Sequence, residues 1–139
     1  MKPLLSRQVK ILLVIIFLIG TTVGFMIKLP ATFRHIDKEM HAAFYFLAAG
    51  FLNLLFTERK LSRHIIIFLA LFLFGVTIEL AQEYSNSFFH KRIHGRYDIE
   101  DVKSNSKGLI AYSMLWCIYV AFVFVYRKVS IKQTLSDQK

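Results

Sequence analysis

Four long apolar runs separated by polar segments set the pattern of this chain. They fall at about residues 11–27, 41–56, 65–82 and 109–126, and each predicts a helix. Runs of this size make about 24–27 Å of helix, slightly under a bilayer core of about 30 Å. Polar ends such as His41 and Glu79 extend the helices into the interface. The fold expected is all-α, a four-helix transmembrane bundle forming a single domain over residues 1–139. A long, partly helical connection joins spans three and four.

The first run follows a basic start, MKPLLSRQVK, as a signal peptide does. It is longer than a usual signal core and no small-x-small cleavage site follows, so it reads as a retained span. Gly20 and Gly24 form a GxxxG there, which lets another backbone approach and leaves a homo-oligomer open. Pro30 breaks the chain before span two, and Ser62 is placed to cap span three.

Composition sharpens this picture. Apolar residues make up 55% of the chain and charged ones 19%, outside the usual globular balance. The net charge of +9 resembles that of a nucleic-acid binder, but the bases lie beside the apolar blocks, where membrane topology accounts for them. No nucleic-acid partner is expected. The segments 1–10, 57–64 and 127–139 share one side and hold ten Lys and Arg in 31 residues. The segments 28–40 and 83–108 share the other and hold eight in 39. The positive-inside rule then places both termini in the cytoplasm and the long connection outside. A single cysteine, Cys117, excludes an internal disulfide and any CxxC metal site; in an apolar run it reads as a packing residue.

Candidate chemistry gathers at one membrane face. The stretch 79–108 holds five of the nine acids although it lies between apolar runs. Glu79, Gln82 and Glu83 share one helical face, as do Asp98, Asp101, Asn105 and Gly108. Span two opens with Asp37, Lys38, His41 and Tyr45, where positions 37, 41 and 45 again share a face. Topology brings all three faces, with Arg96 beside them, to one end of the bundle. An ionised Glu79 inside lipid costs roughly 2.5–3.5 kcal/mol, so it must face the bundle with a partner, Lys38 or Arg96. Plainer readings stand beside these. Asp98 with Asp101 at i+3 is a capping box, Asp37 is an N-cap, and His41 is equally a structural histidine. His35, His90 and His94 read as solvated loop residues, and Phe88, Phe89 and Tyr97 as headgroup-layer aromatics.

In this order, Asp37-Lys38-x-x-His41 with Tyr45, Glu79-x-x-Gln82, and Arg96 with Asp98, Asp101, Asn105 and Gly108 resemble the VanZ-like family of small integral membrane proteins. The resemblance covers roughly residues 30–112. The chain departs from the family at His94-Gly95, where a proline often precedes the arginine, at Ser106-Lys107, often apolar, and at Tyr112, often small. The resemblance implies an envelope protein with a link to susceptibility to glycopeptides such as teicoplanin.

Three functions follow from the residues. In the first, a non-enzymatic protein binds an anionic membrane lipid or a lipid-linked wall precursor. Lys38 and Arg96 meet phosphate, and Tyr45, Gln82, Asp98 and Asn105 complete the binding set. In the second, a membrane enzyme acts on a lipid-linked phosphate or sugar. Asp37, His41, Glu79 and Asp101 are its catalytic candidates, with His41 as base and Glu79 and Asp101 holding a divalent metal. The sequence requires no cofactor, and neither motif nor spacing fixes such a metal. In the third, a structural or small transport subunit, polar residues at one face give no continuous path through the bilayer.

Overall fold

A computed structural model describes residues 5–27, 32, 35–91 and 97–136. The four predicted helices are present: α1 (Arg7–Met26), α2 (Asp37–Phe56), α3 (Leu61–Phe88) and α4 (Ile99–Ser136). All are long and apolar enough to cross a membrane. They run alternately in opposite directions. Lys10 at the start of α1 reaches Leu55 at the end of α2, and Glu79 late in α3 meets Asp98 just before α4. Helices α2 and α4 therefore run side by side in the same direction, and Arg7 lies at the end toward which both of them run.

Each helix is longer than its apolar run. At 20 residues, α1 and α2 reach about 30 Å. The largest additions are polar: 99–108 at the start of α4, 127–136 at its end, and 83–88 at the end of α3. The long connection is therefore partly helical, with 83–88 in α3 and 99–108 in α4. Ser6 caps α1, its hydroxyl accepting from the Val9 amide at 3.3 Å. The cap of α2 falls on Ile36, not Asp37; Asp37 is the first helical residue, where with Glu39 it complements the helix dipole. Lys60, not Ser62, occupies the N-cap of α3, because the turn before it is tight. Two successive residues there, Glu58 and Arg59, have left-handed backbone (φ 47° and 60°). The last carbonyls of α2 take their donors from other helices: Lys10 Nζ reaches Leu55 O at 2.5 Å, and Arg63 Nη1 reaches Phe56 O at 3.0 Å.

The interior is built from small, aromatic and polar residues. Tyr45, Ala48, Ala49, Leu71 and Leu109 are nearly inaccessible, as are Glu79 and Asn105. The outward face is apolar instead, with Ile16, Leu47, Leu54, Ile66, Leu73 and Phe122 well exposed. An inside richer in polar atoms than the outside suits lipid as solvent. Cys117 belongs to that outward face, so it is not the packing residue expected.

Gly108 sets the distance between α2 and α4. A Cβ there would run into the Ala42 carbonyl oxygen, lie 2.9 Å from its carbon and lie 3.0 Å from the Phe46 nitrogen. Backbone meets backbone at this point. The GxxxG glycines differ: a Cβ at Gly20 or Gly24 meets nothing within 4 Å.

Candidate functional site

The three polar faces do meet, at the end of the bundle away from Arg7. Lys38 is the hub. Its ammonium lies 2.5 Å from Asp98 Oδ2 and also pairs with Asp101 Oδ1, bridging α2 to the start of α4. This differs from the expectation that Lys38 pairs with Glu79. Two carboxylates already share its charge. Together with the Glu100 amide, it holds the Asp98 carboxyl below the usual carboxylate range.

Glu79 finds another partner. Its Oε2 accepts the Asp98 backbone N–H at 3.1 Å, with the residue only 1% exposed. Asp98 itself caps α4, its Oδ1 accepting from the Glu100 amide at 2.9 Å. A capping box needs a second acceptor for the amide of the cap residue. Asp101, three residues on, is turned to Lys38, and Glu79 supplies that acceptor from α3. The carboxylate inside the bundle thus fixes where α4 begins. Glu83 adds a weaker version, accepting from the Tyr97 amide at 3.4 Å.

His41, one turn into α2, is 8% exposed. Its Nδ1 lies 2.9 Å from Asn105 Oδ1. Its Nε2 lies 3.9 Å from both Asp37 Oδ1 and Asp101 Oδ2. Donor atoms of Asp37, His41 and Asp101 all fall within 4.8 Å of one another, a grouping able to hold a metal ion. This regroups the expected site: the ligand atoms of Asp101 gather with those of Asp37 and His41, and Glu79 accepts from backbone.

Tyr45, one turn deeper, is 1% exposed. Gly75 makes room for it: a Cβ there would lie 2.8 Å from the Tyr45 hydroxyl and 2.9 Å from Asn105 Nδ2. Gln82 is spent on holding α1, its amide donating to Phe25 O at 2.8 Å. The Phe25 ring in turn lies 4.9 Å from the His41 ring. Arg96 and His94 lie outside the described residues. Phe88, Phe89 and Tyr97 are exposed around this end, as are His35 and His90.

Sequence reasoning missed a second polar cluster, toward the other end. His64 on α3 stacks on Trp116 of α4, with ring centroids 4.2 Å apart and planes 5° apart. Its Nδ1 lies 2.8 Å from Asn53 Oδ1 and its Nε2 3.0 Å from Ser113 Oγ. Thr57 donates to the same Asn53 oxygen at 2.5 Å, and Asn53 Nδ2 donates to Ala49 O at 2.7 Å. The signal was present: Asn53, Thr57 and His64 are polar positions spaced to converge across a short turn. The order Ser–His–Asn is that of a nucleophile, base and orienter. Ser113, however, sits within a helix, where it also donates to Leu109 O at 2.8 Å. Backbone amides in a helix interior are already paired and offer no oxyanion hole. The cluster is a satisfied core network joining α2, α3 and α4. Ala48, Leu71 and Leu109 form an apolar layer between the two polar clusters.

Among the described residues the first cluster carries five carboxylates (Asp37, Glu79, Glu83, Asp98, Asp101) against one ammonium. No protein-family model, curated protein or solved structure matches the chain.

Proposed function

We propose that this chain is a VanZ-like integral membrane protein of the cell envelope, with both termini cytoplasmic. Its polar centre engages the head group of an anionic lipid or a lipid-linked wall precursor at the outer interface. The observation that carries this reading is the placement of buried ionisable side chains. Glu79, His41 and Asp101, from three different helices, converge at one end of a bundle whose outward surface is apolar. Intramembrane ionisable residues of this kind mark functional sites by default. Exposed Phe88, Phe89 and Tyr97 at the same end suit a headgroup layer.

The test is lipid binding by the purified chain in nanodiscs of phosphatidylglycerol against phosphatidylcholine. Preferential binding of the anionic lipid that weakens in Asp101→Asn and Lys38→Met is expected. Equal binding of both lipids, unchanged by the variants, would sink the reading. In cells, alanine variants of Asp37, His41 and Asp101 should accumulate normally and alter teicoplanin susceptibility. Lost accumulation throughout would make the centre structural.

A second reading, a membrane enzyme acting on a lipid-linked phosphate or sugar, is favoured by one observation. His41 Nε2 stands between two carboxylates, as a general base or metal ligand does. Turnover of a lipid phosphate lost in His41→Gln would select it. A structural or transport subunit draws less support, because the Ala48–Leu71–Leu109 layer interrupts any polar path among the described residues.

A further inference from the structure

We propose that Asp37, His41 and Asp101 bind one divalent cation, and that this ion, not the Lys38 ammonium, engages the phosphate of the head group. The phosphate half of this inference rests on the headgroup reading above; the metal half does not.

The argument starts from the His41 ring. Its Nδ1 lies 2.9 Å from Asn105 Oδ1, and its Nε2 lies 3.9 Å from both Asp37 Oδ1 and Asp101 Oδ2. Nε2 is therefore beyond hydrogen-bond reach of either carboxylate, and a cation among the three atoms would offset the gathering of two carboxylates. No hydrogen bond to Nε2 exists among the described residues. A metal ion matches the gap. Atoms 3.9 to 4.8 Å apart lie roughly 2.3–2.8 Å from a shared centre, which a small inward shift brings to the 2.0–2.2 Å of zinc.

The surroundings agree. Asp101 gives Oδ1 to Lys38, which fixes the carboxylate and leaves Oδ2 toward His41. Asn105 orients the ring from behind, the role that outer partners play at metal sites. Asp101 and His41 are nearly buried while Asp37 is partly open, so coordination positions remain for water or a phosphate oxygen. Two carboxylates and one imidazole suit manganese or zinc over the all-oxygen preference of calcium and magnesium. Among the described residues of the centre five carboxylates stand against one ammonium, so a bound cation would give a phosphate a positive contact there.

The experiment uses the full chain in detergent, freed of its affinity tag and stripped with EDTA. Mn2+ is titrated by electron paramagnetic resonance. The expected result is one saturable ion per chain, with nitrogen coupling from one imidazole in the pulsed spectrum. His41→Gln should remove that coupling and weaken binding at least tenfold, while Glu83→Gln should leave both unchanged. Because the coupling is read on the unaltered chain, it decides the matter even if His41→Gln fails to fold. No saturable ion, or a bound ion without nitrogen coupling, overturns the metal site. Nanodisc binding is then repeated with and without EDTA. Phosphatidylglycerol binding that needs the metal supports both halves. Binding that is indifferent to EDTA overturns the bridging role and leaves the headgroup reading standing. A metal site with no lipid preference keeps the metal inference and removes the headgroup reading.

Discussion

Replacing Gly108 with alanine tests the contact that assembles the polar centre. On an isolated helix this change adds about 1 kcal/mol of stability, because glycine is the poorer helix former. Here the new methyl has no space. It would overlap the Ala42 carbonyl oxygen and stand 2.9 Å from the Ala42 carbon. The obstacle is backbone and cannot change rotamer, so α2 and α4 must separate. Overpacking of this kind costs about 1–3 kcal/mol, occasionally more. Separation also pulls Asn105, one turn before Gly108, away from His41, which removes about 1 kcal/mol of hydrogen bonding. The net expectation is a loss of about 1–3 kcal/mol. Reversible unfolding of the detergent-solubilised chain, followed by far-ultraviolet circular dichroism, measures it. Gly20→Ala and Gly24→Ala are the controls. Nothing lies within 4 Å of either new methyl, so both should be neutral or up to about 1 kcal/mol stabilising. If Gly108→Ala matched these controls, the close approach of α2 and α4 would be wrong, and the joining of Lys38 to Asp101 with it.

Two further predictions concern the polar networks. Asn53→Leu leaves the His64 ring and the Thr57 hydroxyl without their shared acceptor, and should destabilise by about 2–3 kcal/mol without changing metal or lipid binding; an unfolding titration of the variant checks this. The lowered Asp98 carboxyl makes stability depend on pH. Its contribution is fully present above the ordinary carboxylate range and is lost as pH falls through the lowered folded value, so wild type should lose melting temperature on acidification more steeply than Asp98→Asn. Parallel melting curves from neutral to acid pH would contradict that.

The apolar runs made four helices legible because lipid-length hydrophobic blocks have few alternatives. They did not mark the helix ends. The turns at 83–88 and 99–108 are polar, and tertiary bonds hold them: Glu79 to the Asp98 amide, Lys38 to Asp98 and Asp101. Helical spacing did identify which of those polar residues share a face, and so it found the centre. It could not assign partners. Lys38 and Arg96 are both candidate mates for Glu79 in one dimension, and only the fold shows that the Asp98 backbone amide takes it. The network around His64 escaped for a different reason. Its members come from three helices and no two of them form a recognised motif. Gly75 was likewise invisible, since its role is to leave space for Tyr45 and Asn105.

A double-mutant cycle on Lys38→Met and Asp101→Asn tests most directly whether the helix ends meet. The Asp101 carboxylate is mostly buried while Lys38 is 38% exposed, so the charge-assisted bond is discounted for solvent to about 1 kcal/mol of coupling. The exposed Lys103–Glu100 pair within α4 should couple by no more than about 0.5 kcal/mol. Coupling near 1 kcal/mol for the first pair, clearly above the second, is the predicted result. Additivity of the Lys38 and Asp101 changes to within about 0.3 kcal/mol would contradict it.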